Sequence, residues 1–205
     1  MAFSSEKALT ILDRMKFVDR NDINQALETL KSGGLLLYPT DTIWGIGCDA
    51  TNPEAVAKVF ALKGRTQEKS LIVLLHNENQ LSSYVQEIPE VAYQLIEYNE
   101  RPLTIVYSKA KNLAPNAVAE DGSIGIRIVN HPFCEQLLQR FRKPLISTSA
   151  NISGEASPKS FDDISEAVKE GVDYIAAYGR QEKGDGQSST IMKLDPSGKF
   201  EFIRK

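Results

Sequence analysis

Histidine and cysteine are scarce in this chain, with two of each in 205 residues, and the scarcity removes several chemistries. Cys48 and Cys134 fit no zinc spacing and no disulfide framework, so reduced thiols in a cytoplasmic protein are expected. Two histidines and no GxSxG elbow give poor support to a Ser-His-Asp triad. His131, just ahead of Pro132 at a helix start, reads as a cap or surface group rather than a base. No carboxylate pair or His/Cys cluster has the spacing of a metal site. Long apolar runs are missing too. Nothing approaches the length of a membrane-crossing helix, and MAFSSEKALTILDRMKF carries acids and lacks a signal peptide's apolar core. A basic excess is also absent: the net charge of −3 argues against broad sequence-independent nucleic-acid binding and leaves room only for a local basic concavity.

What is present fits one soluble globular domain, with residues 1–20 as an N-terminal arm or a short helix. Hydrophobic content of 41% and charged content of 25% are ordinary for such a domain. The most informative stretch runs from Gly33 to Leu75. Leu35 to Tyr38 is an apolar run suited to a buried strand, and Pro39 ends it, placing Thr40, Asp41 and Thr42 on a turn. Trp44 to Cys48 resumes with glycines at 45 and 47, where backbone bends or approaches a neighbour. Asn52-Pro53-Glu54 starts a helix that ends at Lys63-Gly64-Arg65, and Leu71 to Leu75 is a second buried strand. Before this stretch, Asp22 to Lys31 is a helix that Asp22 can cap. After it, helices are expected at 77–83, 89–98 (Val91, Leu95 and Tyr98 inward), 133–141 and 162–169. Strands are expected at 102–107, 122–129, 144–147 and 174–178, with a closing hairpin of 190–194 and 200–203. The alternation predicts an α/β fold with a mixed sheet.

Three groups of residues can bear chemistry. Lys63, Arg65 and Lys69 leave a helix end interrupted by Gly64, a pattern that suits polyphosphate; a solvated helix terminus that favours cations is the competing reading. Ser147-Thr148-Ser149-Ala150-Asn151 leaves the end of an apolar strand, the usual ligand position in open α/β sheets, although such a turn can also satisfy its own backbone. In the strand 122–129, Ser123, Gly125 and Arg127 share the face opposite Ile124, Ile126 and Ile128, so Arg127 is either a ligand group or an exposed strand charge. The Ser188-Ser189-Thr190 entry, beside the glycine-rich 179–188 segment, reads as a further polar edge.

Taken together and in order, YPTDTIWGIGCDA, KGRTQEKSLIVLL, RPLTIV, GIRIVNHP, STSANISGEASP and STIMKL resemble the YrdC-like family of threonylcarbamoyl-AMP synthases over roughly residues 20–204. The resemblance implies a twisted mixed sheet with flanking helices around a concave, positively charged cleft. It also implies a reaction in which L-threonine, bicarbonate and ATP, the last with Mg2+, give threonylcarbamoyl-adenylate and pyrophosphate. A downstream tRNA transferase complex then uses the adenylate to make N6-threonylcarbamoyladenosine. By similarity, Lys63, Arg65, Ser149 and Asn151 are the catalytic signature. Arg65, Lys69, Ser123, Ser149, Ser157 and Arg204 line the nucleotide, and Thr42, Arg127, Ser147 and Ser189 hold threonine. Direct contact with tRNA or double-stranded RNA is an open possibility, and no membrane is involved.

The chain departs from the family pattern at Asp41 (for Glu), Trp44 (for Tyr), Leu74 (for His), Arg101 (for Gly) and Val129-Asn130 (for a usual proline). The resemblance also implies the short, single-domain form, without the C-terminal domain of the longer synthases. The alternative is a catalytically silent YciO-type module that binds nucleotide or double-stranded RNA. Lys63, Arg65, Ser149 and Asn151 favour the enzyme, because that branch lacks the signature. A carbamoyl-transfer domain of the hydrogenase-maturation type normally sits in a much longer chain.

Overall fold

The computed structural model describes residues 18–64, 71–182 and 186–205. The undecided N-terminal segment 1–17, the pair Arg65 and Lys69, and part of the glycine-rich 179–188 segment therefore lie outside the described residues. In chain order the elements are α1 (Arg20–Lys31), β1 (Leu36–Tyr38), β2 (Gly45–Asp49), α2 (Pro53–Lys63) and β3 (Ile72–Leu75). There follow α3 (Leu81–Tyr84), α4 (Val91–Tyr98), β4 (Leu103–Tyr107), β5 (Ile124–Ile128), α5 (Pro132–Phe141) and β6 (Leu145–Ser149). The last are α6 (Glu166–Glu170), β7 (Tyr174–Ile175), β8 (Thr190–Leu194) and β9 (Phe200–Arg204).

Among the described residues the strands form one nine-stranded mixed sheet of order β7-β1-β2-β6-β3-β5-β4-β8-β9. The pairs β1/β7, β3/β5 and β4/β8 are parallel. The antiparallel pairs are β1/β2, β2/β6, β3/β6, β4/β5 and β8/β9. The expected α/β architecture is what the chain adopts.

The register explains where the opening in the molecule lies. Residues opposite one another across a ladder share a face. One face carries Leu37, Ile46, Ile146, Val73, Ile126 and Ile105, which join α2 and α4 in the larger apolar core. The other face carries Leu36, Tyr38, Leu74 and Leu145, packed under α1 and α5 with Ile23, Leu27, Phe133 and Leu137. These two helices cover only part of that second face. Continuing across the same face, the register aligns Gly45 with Ser149, Leu74 with Arg127, and Arg127 with Thr104. Gly45, Ser149, Arg127 and Thr104 are left without a helical roof.

Local chemistry accounts for the element boundaries. Asn52 accepts from the amides of Glu54 and Ala55, and Pro53 opens α2, as the sequence indicates. Gly64 ends the helix at φ 58°, in the left-handed region where a side chain is disfavoured.

Four expectations need correction. Asp19, not Asp22, caps α1. The buried Asp22 turns inward and accepts from the Tyr174 hydroxyl at 2.7 Å and the amides of Ala177 and Tyr178 at 2.9 and 2.8 Å, which ties β7 to the helix. In α4 Val91 and Leu95 face the core as expected, joined by Ala92 and Ile96, but Tyr98 points away and is 76% exposed. The helix expected over 162–169 is two pieces, a 3-10 turn at Phe161–Asp163 and α6, because Ile164 adopts extended backbone between them. His131 does take the N-cap position of α5, where its carbonyl accepts from the Glu135 amide, but it is no surface group: it is buried, with its ring edge-on to Tyr178 at 5.8 Å.

Candidate functional site

The uncovered part of the second face is a cleft of about 300 Å3. Thr40, Thr42 and Trp44 come from the β1–β2 connection, and Ser147 to Ser149 from β6. Thr104, Gly125 and Arg127 come from β4 and β5, and Ser157, Ser189 and Arg204 complete the rim. A side chain at Gly45 would crowd the cleft, because a Cβ there would lie 3.0 Å from the Ser147 hydroxyl.

Arg127 is the cation at the bottom. It is 4% exposed, which rules out the exposed-charge reading. Its Nη1 donates to Thr42 Oγ1 at 3.2 Å and its Nη2 to Thr40 Oγ1 at 3.5 Å. Asp41 Oδ1 pairs with Nη2 at 3.3 Å. Arg127 Nε is buried without a hydrogen-bond partner among the described residues, so this guanidinium keeps an unsatisfied donor.

A second cluster faces it. Arg204 donates from Nε and Nη2 to the Ser189 carbonyl at 3.1 and 2.8 Å. The Ser189 hydroxyl in turn meets Thr104 Oγ1 at 2.8 Å. Burial, and then the positive charge of Arg127, hold the Arg204 guanidinium below its ordinary pKa. Two arginines that feel each other across a small cleft make a place where an anion relieves repulsion.

Lys63 does something different from what its spacing suggests. It is 3% exposed and absent from the cleft wall. Its Nζ donates to the carbonyl oxygens of Ser149 at 2.6 Å and Asn151 at 2.7 Å, beneath the loop that leaves β6. Asn151 Nδ2 donates to the carbonyls of Ile152 and Glu155 at 3.0 and 2.7 Å. Lys63 and Asn151 thus build the loop that presents Ser149 and Ser157.

The other residues singled out from the sequence divide clearly. Thr42, Arg127, Ser147, Ser149, Ser157, Ser189 and Arg204 are brought together around the cleft. Ser123 is not on its wall. Ser123 is buried, and its hydroxyl and amide hold the Asp121 carboxyl below the usual carboxylate range. Leu74 sits fully buried beneath α5, so the departure there faces the second core and not the cleft. Trp44 does line the cleft, with its ring 4.9 Å from Phe161, which Arg180 covers at 5.0 Å. The sequence reading placed Thr40 and Asp41 on the turn after β1, with Asp41 a departure from the family pattern, but named neither of them nor Thr104 as a site residue. Thr104 carried a usable signal, since it is the one hydroxyl on the Pro102–Tyr107 run before its terminal tyrosine.

A mixed α/β sheet with hydroxyls and two arginines around one cleft is an arrangement that can hold a small anion. The particular family follows from comparison: the chain belongs to the Sua5/YciO/YrdC family, whose model, described as "Telomere recombination", matches residues 28–205. A Pseudoalteromonas translucida protein named threonylcarbamoyl-AMP synthase is 34% identical over 88% of this chain and 97% of its own length. The crystal structure of P. abyssi Sua5 complexed with L-threonine superposes with a TM-score of 0.75 at 30% identity, over 84% of this chain and 50% of that one. The chain therefore spans about half the length of that protein. E. coli YciO superposes with a TM-score of 0.79 at 22% identity, over 91% of this chain and 90% of its own, a likeness of fold alone. Among the described residues no helix is long and apolar enough to cross a membrane.

Proposed function

We propose that this chain is a nucleotidyltransferase that makes threonylcarbamoyl-AMP and pyrophosphate from L-threonine, bicarbonate and ATP. The observation that carries the proposal is the pair of cleft arginines, Arg127 and Arg204, set among hydroxyls of the β1–β2 connection, β4, β6 and the segment leading into β8, in a chain whose relatives carry the synthase name. All three substrates bear anionic groups, so the site's task is to bring anions together and hold them rather than to supply a strong base.

In this reading Arg127 receives the threonine carboxylate, with Thr42, Ser147 and Ser189 beside it. The threonine amine and bicarbonate form a carbamate with loss of water. A carbamate oxygen then bonds to the α-phosphorus of ATP as the bond to the β-phosphate oxygen breaks, and pyrophosphate leaves. Arg204, Ser149 and Ser157 line the nucleotide, together with Arg65, Lys69 and Ser123 as the resemblance implies. Lys63 and Asn151 act by holding the Ser149 loop. Magnesium enters with the triphosphate as part of the substrate. The adenylate would pass, in the cytoplasm, to a tRNA-modifying transferase.

The test is pyrophosphate release from ATP by the purified chain. Release that requires both L-threonine and bicarbonate is the expected result. ATP binding with no release under any combination overturns the proposal and leaves a nucleotide-binding module.

A further inference from the structure

Arg127 is useful to a ligand only if its fork is held still, and the residues that hold it come from one turn. Thr40 and Thr42 each accept from it, and Asp41 stands against Nη2 at 3.3 Å. Both side chains of this ion pair are more than nine-tenths buried, at 5% exposure for Arg127 and 9% for Asp41. Asp41 Oδ1 accepts no hydrogen bond within the described residues, so it acts on Arg127 through charge rather than an aligned N–H. A carboxylate held only by charge is free to turn. Its other oxygen, Oδ2, accepts the main-chain amide of Asn130 at 3.3 Å. Asn130 lies two residues beyond the end of β5, the strand that carries Arg127. The cation and the amide that orients its counter-ion therefore belong to one short stretch of chain, which closes a loop of contacts from Arg127 through Asp41 to Asn130.

We infer that Asp41 is a positioning residue for the amino-acid carboxylate subsite, set by the Asn130 amide and acting through Arg127. This inference rests on the proposed synthase reading for the identity of the ligand. Asp41 limits the sweep of the guanidinium, so that the fork meets an incoming carboxylate in one orientation. It also offsets a buried positive charge while the cleft is empty. Removing the pair by its acid alone leaves that charge uncompensated and the fork loose. Removing the amide alone leaves the charges in place and loosens only the geometry.

The experiment is calorimetric titration of the full chain with L-threonine, and separately with ATP, using Asp41→Asn, Asp41→Glu, Asn130→Pro and Asn130→Ala. Asp41→Asn is expected to weaken threonine about tenfold or more, the scale of a hydrogen-bonded charge contact, with ATP affinity within about twofold. Asn130→Pro, which lacks the N–H, is expected to weaken threonine severalfold. Asn130→Ala, which keeps the N–H, is expected to match wild type. Asp41→Glu keeps the charge and is expected to recover part of the loss seen in Asp41→Asn.

Equal loss of threonine and ATP binding in Asp41→Asn and Asn130→Pro marks a general structural role and overturns the inference. So does threonine binding that is unchanged in both. Wild type that binds ATP and no threonine defeats the synthase reading itself, a result distinct from either.

Discussion

Two buried cations, Lys63 at 3% and Arg127 at 4% exposure, sit on different elements, the C-terminal end of α2 and the strand β5, and have different partners. Lys63 is a point charge whose ammonium reaches two main-chain carbonyls from below the Ser149–Asn151 loop. Arg127 is a planar fork whose two terminal nitrogens are fixed by a turn and whose Nε is unsatisfied. The ammonium can swing its three protons toward carbonyls of an irregular loop, which suits scaffolding. The guanidinium presents a fixed geometry, which suits recognition of a carboxylate. Burial alone, therefore, does not separate a cation whose protons go to main-chain carbonyls from one that keeps a donor unsatisfied; the partners do.

The comparison can be broken most forcefully at Lys63. Lys63→Ala strips the donors from two carbonyls in a buried loop, and we expect a stability loss of about 2–4 kcal/mol, read by denaturant unfolding. Activity should fall at least a hundredfold through kcat, because the Ser149 loop is misplaced. At Arg127 the effect should fall on binding instead. Arg127→Lys keeps the charge and removes the fork, and a threonine KM raised about ten- to a hundredfold with melting temperature little changed is expected in steady-state kinetics.

A smaller change sharpens the contrast on the far wall. Thr104→Val removes one hydroxyl from Ser189 at nearly constant volume, at an expected cost of about 1 kcal/mol in threonine binding, or roughly fivefold in KM. Smallest of all is Trp44→Tyr, which trims the cleft wall beside Phe161. Its expected effect is within about threefold on either substrate's KM, since neighbouring apolar groups still fill the wall.

Much of this was legible in the chain itself. The helix from Pro53 announces both ends, by Asn52 at one and Gly64 at the other. The alternation of Ser123 to Val129 placed Arg127 on the face where the structure has it, aligned with Thr104. Long-range partners were not legible. Nothing in the spacing of Lys63 shows that its ammonium lies under carbonyls 86 and 88 residues later. Local signals failed likewise where two candidates lay close together. Asp19 and Asp22 are both good caps, and only the distant amides of Ala177 and Tyr178 decide which one turns inward. Leu74 reads as a change at the cleft until the sheet is assembled, when α5 is found to cover it.

The account stands or falls on whether a carbamoyl carbon reaches a nucleotide. The direct measurement is incubation of the chain with radiolabelled bicarbonate, ATP, magnesium and L-threonine, followed by rapid separation of nucleotides. The expected result is label in a new adenylate only when threonine and ATP are both present, sharply reduced in Arg127→Lys. Nucleotide fractions that remain unlabelled, while ATP binds and the chain is folded, would contradict it.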